Sequence, residues 1–241
     1  MSYLRGSTRP EMATYEAPEI SDSLEHLGVW LSAVVPQDIA IAIDRISSST
    51  AFDAAEQAVV ARAVSLRRDE FVTGRRLARE ALARLGSGAV SLPPDQNRVP
   101  QWPDGFVGTI SHSGKLCAAL VGHARNLAGL GIDIEQRTNI NPDIEPLICR
   151  PDEAELDEED GATDLMLLRF VAKEAFFKAY FPATRHFLDF LDVQVSIDRG
   201  SNSFVARLMK ASSPSLSGSR TFVGRCAALE GCAVAVIWMT Y

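Results

Sequence analysis

Asp133 and Glu135 in GIDIE (131–135) are the first residues whose types and spacing could do chemistry. In a strand, alternate residues face the same side, so Leu130, Ile132 and Ile134 point one way and the two acids the other. Their Cα atoms would lie about 6.5–7 Å apart, close enough for both carboxylates to hold one hard cation such as Mg2+. Two acids two apart on an exposed strand face are more often simply solvated. Gly129 and Gly131 share the acidic face and leave room beside the carboxylates.

A second candidate lies in the run LMLLRFVAKEAFFKAYF (165–181), whose composition predicts a helix. With Leu165 at zero and about 100° per residue, Arg169, Lys173 and Tyr180 cluster near 40–80° as a wet edge. Glu174 falls near 180°, among Leu167, Phe170, Phe177 and Phe181, and Lys178 one turn beyond it. An i,i+4 ion pair on a wet face is worth only a few tenths of a kcal/mol. Placed in an apolar sector the same pair is costly, which fits either a buried structural bridge or a site.

The bases cluster as well. Arg67, Arg68, Arg75, Arg76, Arg79 and Arg84 fall within 18 residues, and a helical wheel puts Arg68, Arg75 and Arg79 within about 40° of one another. Guanidinium groups on one stripe repel unless an anion sits among them, and their forked donors suit phosphate. A solvated face neutralised in part by Glu70 and Glu80 is the plainer account. His112, in TISHSG, could donate to a phosphate or be an ordinary turn histidine. Jointly these residues supply what transfer from a polyphosphate needs: carboxylates for Mg2+, cations for phosphate oxygens and a carboxylate base.

The elements that must position them are legible in outline. Residues 28–46 hold two short strand-like runs around Pro36. A helical pattern begins near Ser49 or Thr50 as N-cap, and a second helix spans roughly 66–85 before Gly86 and Gly88. Residues 91–105 are a Pro-rich loop without a regular element. FVGTIS and KLCAALVG read as a hairpin joined at Ser113-Gly114, followed by a strand at 129–136. After the helix at about 163–181, residues 186–240 read as a strand meander. The order of elements predicts an α+β chain, with a flexible segment at 1–22, one half at 23–127 and another at 128–241.

Composition narrows the function classes. The 241 residues carry a net charge of −7 and are 46% hydrophobic, which argues against a general nucleic-acid binder or a protein held to anionic lipid. No apolar run reaches the 18 or so residues of a membrane span, and the N-terminus lacks a secretory h-region. Cys117, Cys149, Cys226 and Cys232 have no zinc spacing and read as reduced core residues. A cytoplasmic protein is expected. Seven of the nine residues from 152 to 160 are acidic. Without that run the remaining 24 acids balance 24 bases, so the run is expected to face away from any acidic partner or to be mobile.

GIDIE (131–135) followed by FVAKEAFFK (170–178) resembles the paired signature of the 4′-phosphopantetheinyl transferases, G-x-D-x-E and then W/F-x-x-K-E-x-x-x-K. RRDEFVTGRRLAREAL (67–82), QWPDG (101–105), ISHSG (110–114) and FLDF (187–190) are similar to the enterobactin-synthase and surfactin type of that superfamily. The matches run from about 67 to 190, half the chain, and their joint order and spacing are specific where GIDIE alone would be weak. The family often has a glycine-containing turn where this chain has TRHFLDF.

The resemblance implies a pseudo-two-fold pair of similar α+β halves with coenzyme A in the cleft between them. It implies a monomeric, Mg2+-dependent transferase moving 4′-phosphopantetheine from coenzyme A to a serine of an acyl or peptidyl carrier protein. Adenosine 3′,5′-bisphosphate would be released, and siderophore or other secondary-metabolite pathways would be served. Asp133, Glu135 and Glu174 would hold Mg2+, with Glu174 also the base; Lys178 would contact the pyrophosphate. His112, Arg67 and Arg75 would meet the 3′-phosphate, and Arg98 another phosphate. Lys173 belongs to the motif with no assigned role. The rival readings are a non-catalytic coenzyme A or carrier-binding module and a Mg2+-dependent nucleotide hydrolase.

Overall fold

The computed structural model describes residues 20–50, 53–137, 142–154 and 162–241. These form helices α1 (Ile20–Val34), α2 (Ala54–Val60), α3 (Ser65–Arg84), α4 (Glu145–Ile148), α5 (Pro151–Ala154) and α6 (Ala162–Thr184). The strands are β1 (Ala40–Arg45), β2 (Phe106–Ser113), β3 (Leu116–His123), β4 (Leu127–Gln136), β5 (Val193–Asp198), β6 (Ser203–Leu208), β7 (Thr221–Leu229) and β8 (Cys232–Thr240). They build two antiparallel sheets, ordered β1-β3-β2 and β4-β8-β7-β6-β5. The chain is α+β, as the order of elements predicts. It leaves the first sheet after His123 and enters the second at Leu127.

The strands β3 and β8 are buried on both faces along nearly their whole length, and this explains their unbroken apolar sequences. In β8, Ala233, Ala235 and Ile237 pack under α6, while Val234 and Val236 join Leu27 and Leu31 of α1. In β3, Cys117, Ala119 and Val121 pack against Leu77, Ala78 and Leu82 of α3, and Ala118 and Leu120 turn to α1. The helix α1 thus wedges its apolar stripe between the two sheets. All four cysteines are buried and unpaired, as expected, and burial pushes the Cys117 and Cys226 thiols up to about 12.

Several expectations are corrected. The run at 28–35 is not a strand but the end of α1, because Leu27, Leu31 and Val35 recur at helical spacing and are all buried. The cap of α2 is Asp53, whose carboxylate accepts the Glu56 N–H at 2.9 Å, and not Ser49 or Thr50. Arg169, Lys173 and Tyr180 are not a wet edge: they are 2%, 3% and 0% exposed. α6 is apolar nearly all round, so its composition gives no outward direction, and the groups that cover Lys173 come from both before the helix (Ile148, Glu153) and after it (Phe190). The Lys173 ammonium donates to Ile148 O (2.7 Å), Glu153 Oε2 (2.8 Å) and Phe190 O (3.1 Å), which satisfies its three protons. Glu153, counted in the acidic run, is buried with it and also accepts the Arg150 and Val195 N–H groups. Asp152 of that run is exposed, and residues 155–160 lie outside the described residues, as does the expected flexible segment except for residues 20–22, which open α1.

The helix α6 lies directly on β4. A Cβ on Gly131 would come within 1.9 Å of Ala175 O, and one on Gly129 within 2.5 Å of Ala179 O. The space that the glycines leave is therefore filled by helix backbone. Because backbone cannot swing aside as a side-chain tip can, Gly131→Ala should displace α6 and destabilise the protein by at least the 1–3 kcal/mol typical of overpacking, about that much or more. A thermal melt within a degree of the native one would show that the helix has slack there.

Candidate active site

The close approach of α6 sets Lys178 and Glu174 beside the acidic face of β4. Lys178 Nζ lies 2.6 Å from Asp133 Oδ1 and 3.1 Å from Ser111 Oγ, and Ser111 Oγ donates to the same carboxylate oxygen at 3.0 Å. Asp133 is 4% exposed, and its Oδ2 is buried with no hydrogen-bond partner among the described residues. On the next outward-facing position Ser113 donates to Glu135 Oε2 at 2.8 Å. Burial pushes the Glu174 carboxyl above its ordinary range, the Asp133 and Glu135 charges push the same way, and Lys178 opposes them. Glu135 is likewise raised by burial and by Asp133, against the pull of Ser113 and Lys178. Three carboxylates thus share one ammonium.

Opposite them, a cavity of about 730 Å³ is walled in part by Arg67, Arg75, Arg98, His112 and Lys178. The wheel's stripe of Arg68, Arg75 and Arg79 is broken up. Arg68 turns outward to Ala63 O, and Arg79 is held by the fully buried Glu56 at 2.5 Å. Only Arg75 of that stripe reaches the cavity. It is 6% exposed, donates from Nε to Leu92 O at 2.6 Å and lies 4.5 Å over the Phe71 ring. Burial lowers it to about 10, so it keeps its charge at neutral pH. Arg67 donates to Glu70 (3.1 Å) and lies 3.1 Å from His112 Nε2. Burial lowers the His112 imidazole, with Arg67 and Lys178 adding to the effect against Glu70.

Arg98 owes its place to the Pro-rich loop. Asp95 Oδ1 accepts the N–H groups of Asn97 and Val99, and Arg185 Nη1 donates to Asp95 Oδ2 at 2.5 Å. The turn is tight enough to hold Arg98 in the left-handed region, at φ 65°. As expected, the loop has no regular element beyond a single bridge between Pro94 and Pro100.

The cationic residues to which the family resemblance gives a phosphate contact, Arg67, Arg75, Arg98, His112 and Lys178, all line this one cavity, and Lys178 joins it to Asp133. Among the described residues, no three His, Cys, Asp or Glu side chains are drawn together as a finished metal site. The donor set still fits a hard divalent cation: oxygen ligands only, one buried carboxylate oxygen without a partner, and two carboxyls whose charge is poorly compensated. Sequence reasoning missed Ser111, Ser113, Glu56 and Glu153. The alternation of hydroxyls in TISHS was the available signal for the two serines; Glu56 and Glu153 carried none, since burial of a lone Glu cannot be read from its neighbours.

A cleft with cationic side chains on one wall and clustered carboxylates behind a lysine offers donors that suit phosphate oxygens and ligands that suit a hard cation. Comparison with known proteins specifies the class. Residues 55–122 match the 4′-phosphopantetheinyl transferase N-terminal domain, and residues 129–229 match the 4′-phosphopantetheinyl transferase superfamily. The chain is 38% identical over 190 residues to 4′-phosphopantetheinyl transferase Svp of Streptomyces mobaraensis, covering 76% of each chain. It is 34% identical over 163 residues to 4′-phosphopantetheinyl transferase Npt of Nocardia iowensis, covering 64% of this chain and 73% of that one. Enterobactin synthase component D of Salmonella typhi is 32% identical over 118 residues, 47% of this chain and 48% of its own. The chain belongs to the 4′-phosphopantetheinyl transferase superfamily and is an enzyme of that class. Among the described residues, no helix is long and apolar enough to cross a membrane.

The raised Glu174 carboxyl has a consequence for stability. A group whose folded pKa exceeds its unfolded value, about 4.3 for Glu, favours the fold when protonated and loses that contribution as pH rises through the folded pKa. With divalent cations chelated, Glu174→Gln should therefore melt higher than the native protein at pH 8. The gap should close as pH falls toward about 4.3. Melting curves from pH 5 to 8 test this; a gap independent of pH would show that the Glu174 charge costs the fold nothing.

Proposed function

We propose that this chain transfers the 4′-phosphopantetheine group of coenzyme A to a serine of an acyl or peptidyl carrier protein, with Mg2+ as cofactor and adenosine 3′,5′-bisphosphate as the second product. The observation that carries this reading is the convergence of Arg67, Arg75, Arg98, His112 and Lys178 on one cavity, with Lys178 reaching from its wall to Asp133.

Arg67, His112 and Arg75 would bind the 3′-phosphate, with Arg75 the most rigid because its Nε is tied to Leu92 O. Arg98 would meet another phosphate oxygen. Lys178 would leave Asp133 for the pyrophosphate. Asp133, Glu135 and Glu174 would hold Mg2+, which when bound neutralises pyrophosphate charge and polarises the phosphorus under attack. Glu174 takes the proton of the carrier serine, directly or through a water. Its raised pKa makes it a better base near neutral pH than an ordinary carboxylate. The serine oxygen forms a bond to the β-phosphorus as the bond from that phosphorus to the bridging oxygen breaks, and the bridging oxygen leaves on the adenosine bisphosphate. The enterobactin-synthase relative suggests a siderophore or similar secondary-metabolite pathway for the carrier. A cytoplasmic monomer suits these substrates.

Intact-mass measurement of an apo carrier domain after incubation with the protein, coenzyme A and Mg2+ is the direct test. A gain of one phosphopantetheine is expected. Free nucleotide released from coenzyme A while the carrier stays unmodified would instead mean hydrolysis, and no change would leave binding alone. Asp133→Ala and Glu174→Gln should reduce turnover by at least about a hundredfold while remaining folded. Arg75→Ala should raise the apparent KM for coenzyme A more than it lowers kcat, and an unchanged KM would remove Arg75 from the site.

A further inference from the structure

The strands β2 and β4 are edges of different sheets, and no backbone pairing joins them. Hydroxyl groups close the seam. Thr109 Oγ1 accepts the Ile132 N–H at 3.1 Å, Ser111 Oγ the Ile134 N–H at 3.2 Å, and Ser113 Oγ the Gln136 N–H at 3.1 Å. A repeat of two residues on each strand keeps the three rungs in register. The first rung ends there. The other two continue, because Ser111 also donates to Asp133 Oδ1 and Ser113 to Glu135 Oε2.

Hydrogen-bond accounting fixes the direction at Ser111. A hydroxyl has one proton and two lone pairs. Ile134 N–H and the Lys178 ammonium take the lone pairs, so the proton is committed to Asp133. One carboxylate oxygen is thereby held, while Oδ2 is buried without a partner among the described residues.

We infer that Ser111 and Ser113 are positioning residues that fix the Asp133 and Glu135 carboxylates, each serine holding one oxygen so that the other faces a divalent cation. This rests on the reading that these carboxylates bind Mg2+. Residues that orient metal ligands typically contribute 10- to 100-fold to metal affinity, about the size of effect to seek here.

Mn2+ serves as the probe, titrated by the electron-paramagnetic-resonance signal of the free ion against protein with coenzyme A and no carrier, so that nothing turns over. Ser111→Ala and Ser113→Ala should each weaken Mn2+ binding by about tenfold or more. Thr109→Val removes a rung of the same seam that touches no carboxylate, and it should bind Mn2+ as the native protein does. Ser113 is only half-buried and supplies a readable variant if Ser111→Ala melts early. Equal weakening in all three would mean that the seam is architecture only, and native affinity in both serine variants would mean that the carboxylates need no help; either result overturns the inference. Failure of the native protein to take up Mn2+ beyond coenzyme A alone would overturn the metal reading itself, a separate outcome.

Discussion

The architecture of the site depends on how closely α6 can lie on β4. Gly129 and Gly131 present bare backbone to the carbonyls of Ala179 and Ala175, so helix and strand meet with no side chain between them. That contact brings Lys178 within 2.6 Å of Asp133 and puts the Glu174 carboxyl in the field of both strand carboxylates. The glycines of GIDIE serve the acids by admitting the helix, which is a different service from leaving room for a ligand. Rotation of the helix is fixed from its other flank. Lys173 adjoins Glu174 and is locked by Glu153 and two backbone carbonyls in a buried position where an unpaired ammonium would be costly. Adjacent helical residues lie about 100° apart, so anchoring one inward leaves the other facing the strand.

Charge in the cleft is divided between fixed and adjustable groups. Arg75 is buried, tied through Nε and set over the Phe71 ring, so it would meet an anion without losing side-chain freedom. Arg67, with Glu70 and His112, forms a small exchangeable cluster on the same wall. Glu70 holds these groups in place and also competes with any anion that arrives, so binding there is a substitution of partners. Lys178 plays the same part at the carboxylates, offsetting charge that burial makes costly. In both places the protein carries an internal stand-in for what the substrate and cation would bring.

Legibility in the sequence followed how each element is buried. The strands of the meander and the hairpin were readable because alternation or an unbroken apolar run survives whatever packs on them. α3 and α6 were readable in extent, but the facing of α6 was not, since a helix enclosed on nearly all sides carries no apolar stripe. Lys173 and Arg169 were for that reason placed in water. α1 was misread because its Val, Trp and Leu content suits a strand as well as a helix, and only its packing between two sheets selects the helix. Arg67, Arg75, His112 and Lys178 were placed at the cavity because their motif spacing is independent of such ambiguity, whereas Arg98 lies in a loop outside any motif. The ion pair of Arg79 with Glu56 removed one arginine from the expected stripe, and a partner 23 residues away cannot be read from a wheel.

The cleft also spans a joint between two sheets, which sets a requirement on that joint. Arg67, Arg75 and His112 belong to the three-stranded side, and Glu174, Lys178 and Asp133 to the five-stranded side. Any slip between β2 and β4 would therefore change the distance from the cationic wall to the carboxylates. Backbone pairing would hold the edges at about 4.8 Å and use the N–H groups of β4 without reaching its side chains. Hydroxyls at Thr109, Ser111 and Ser113 satisfy the same N–H groups, and in two places pass the constraint on to a carboxylate. The seam thus ties the register of two sheets to the orientation of two acids: three hydroxyls hold the spacing of the cleft, and two of them also hold its carboxylates.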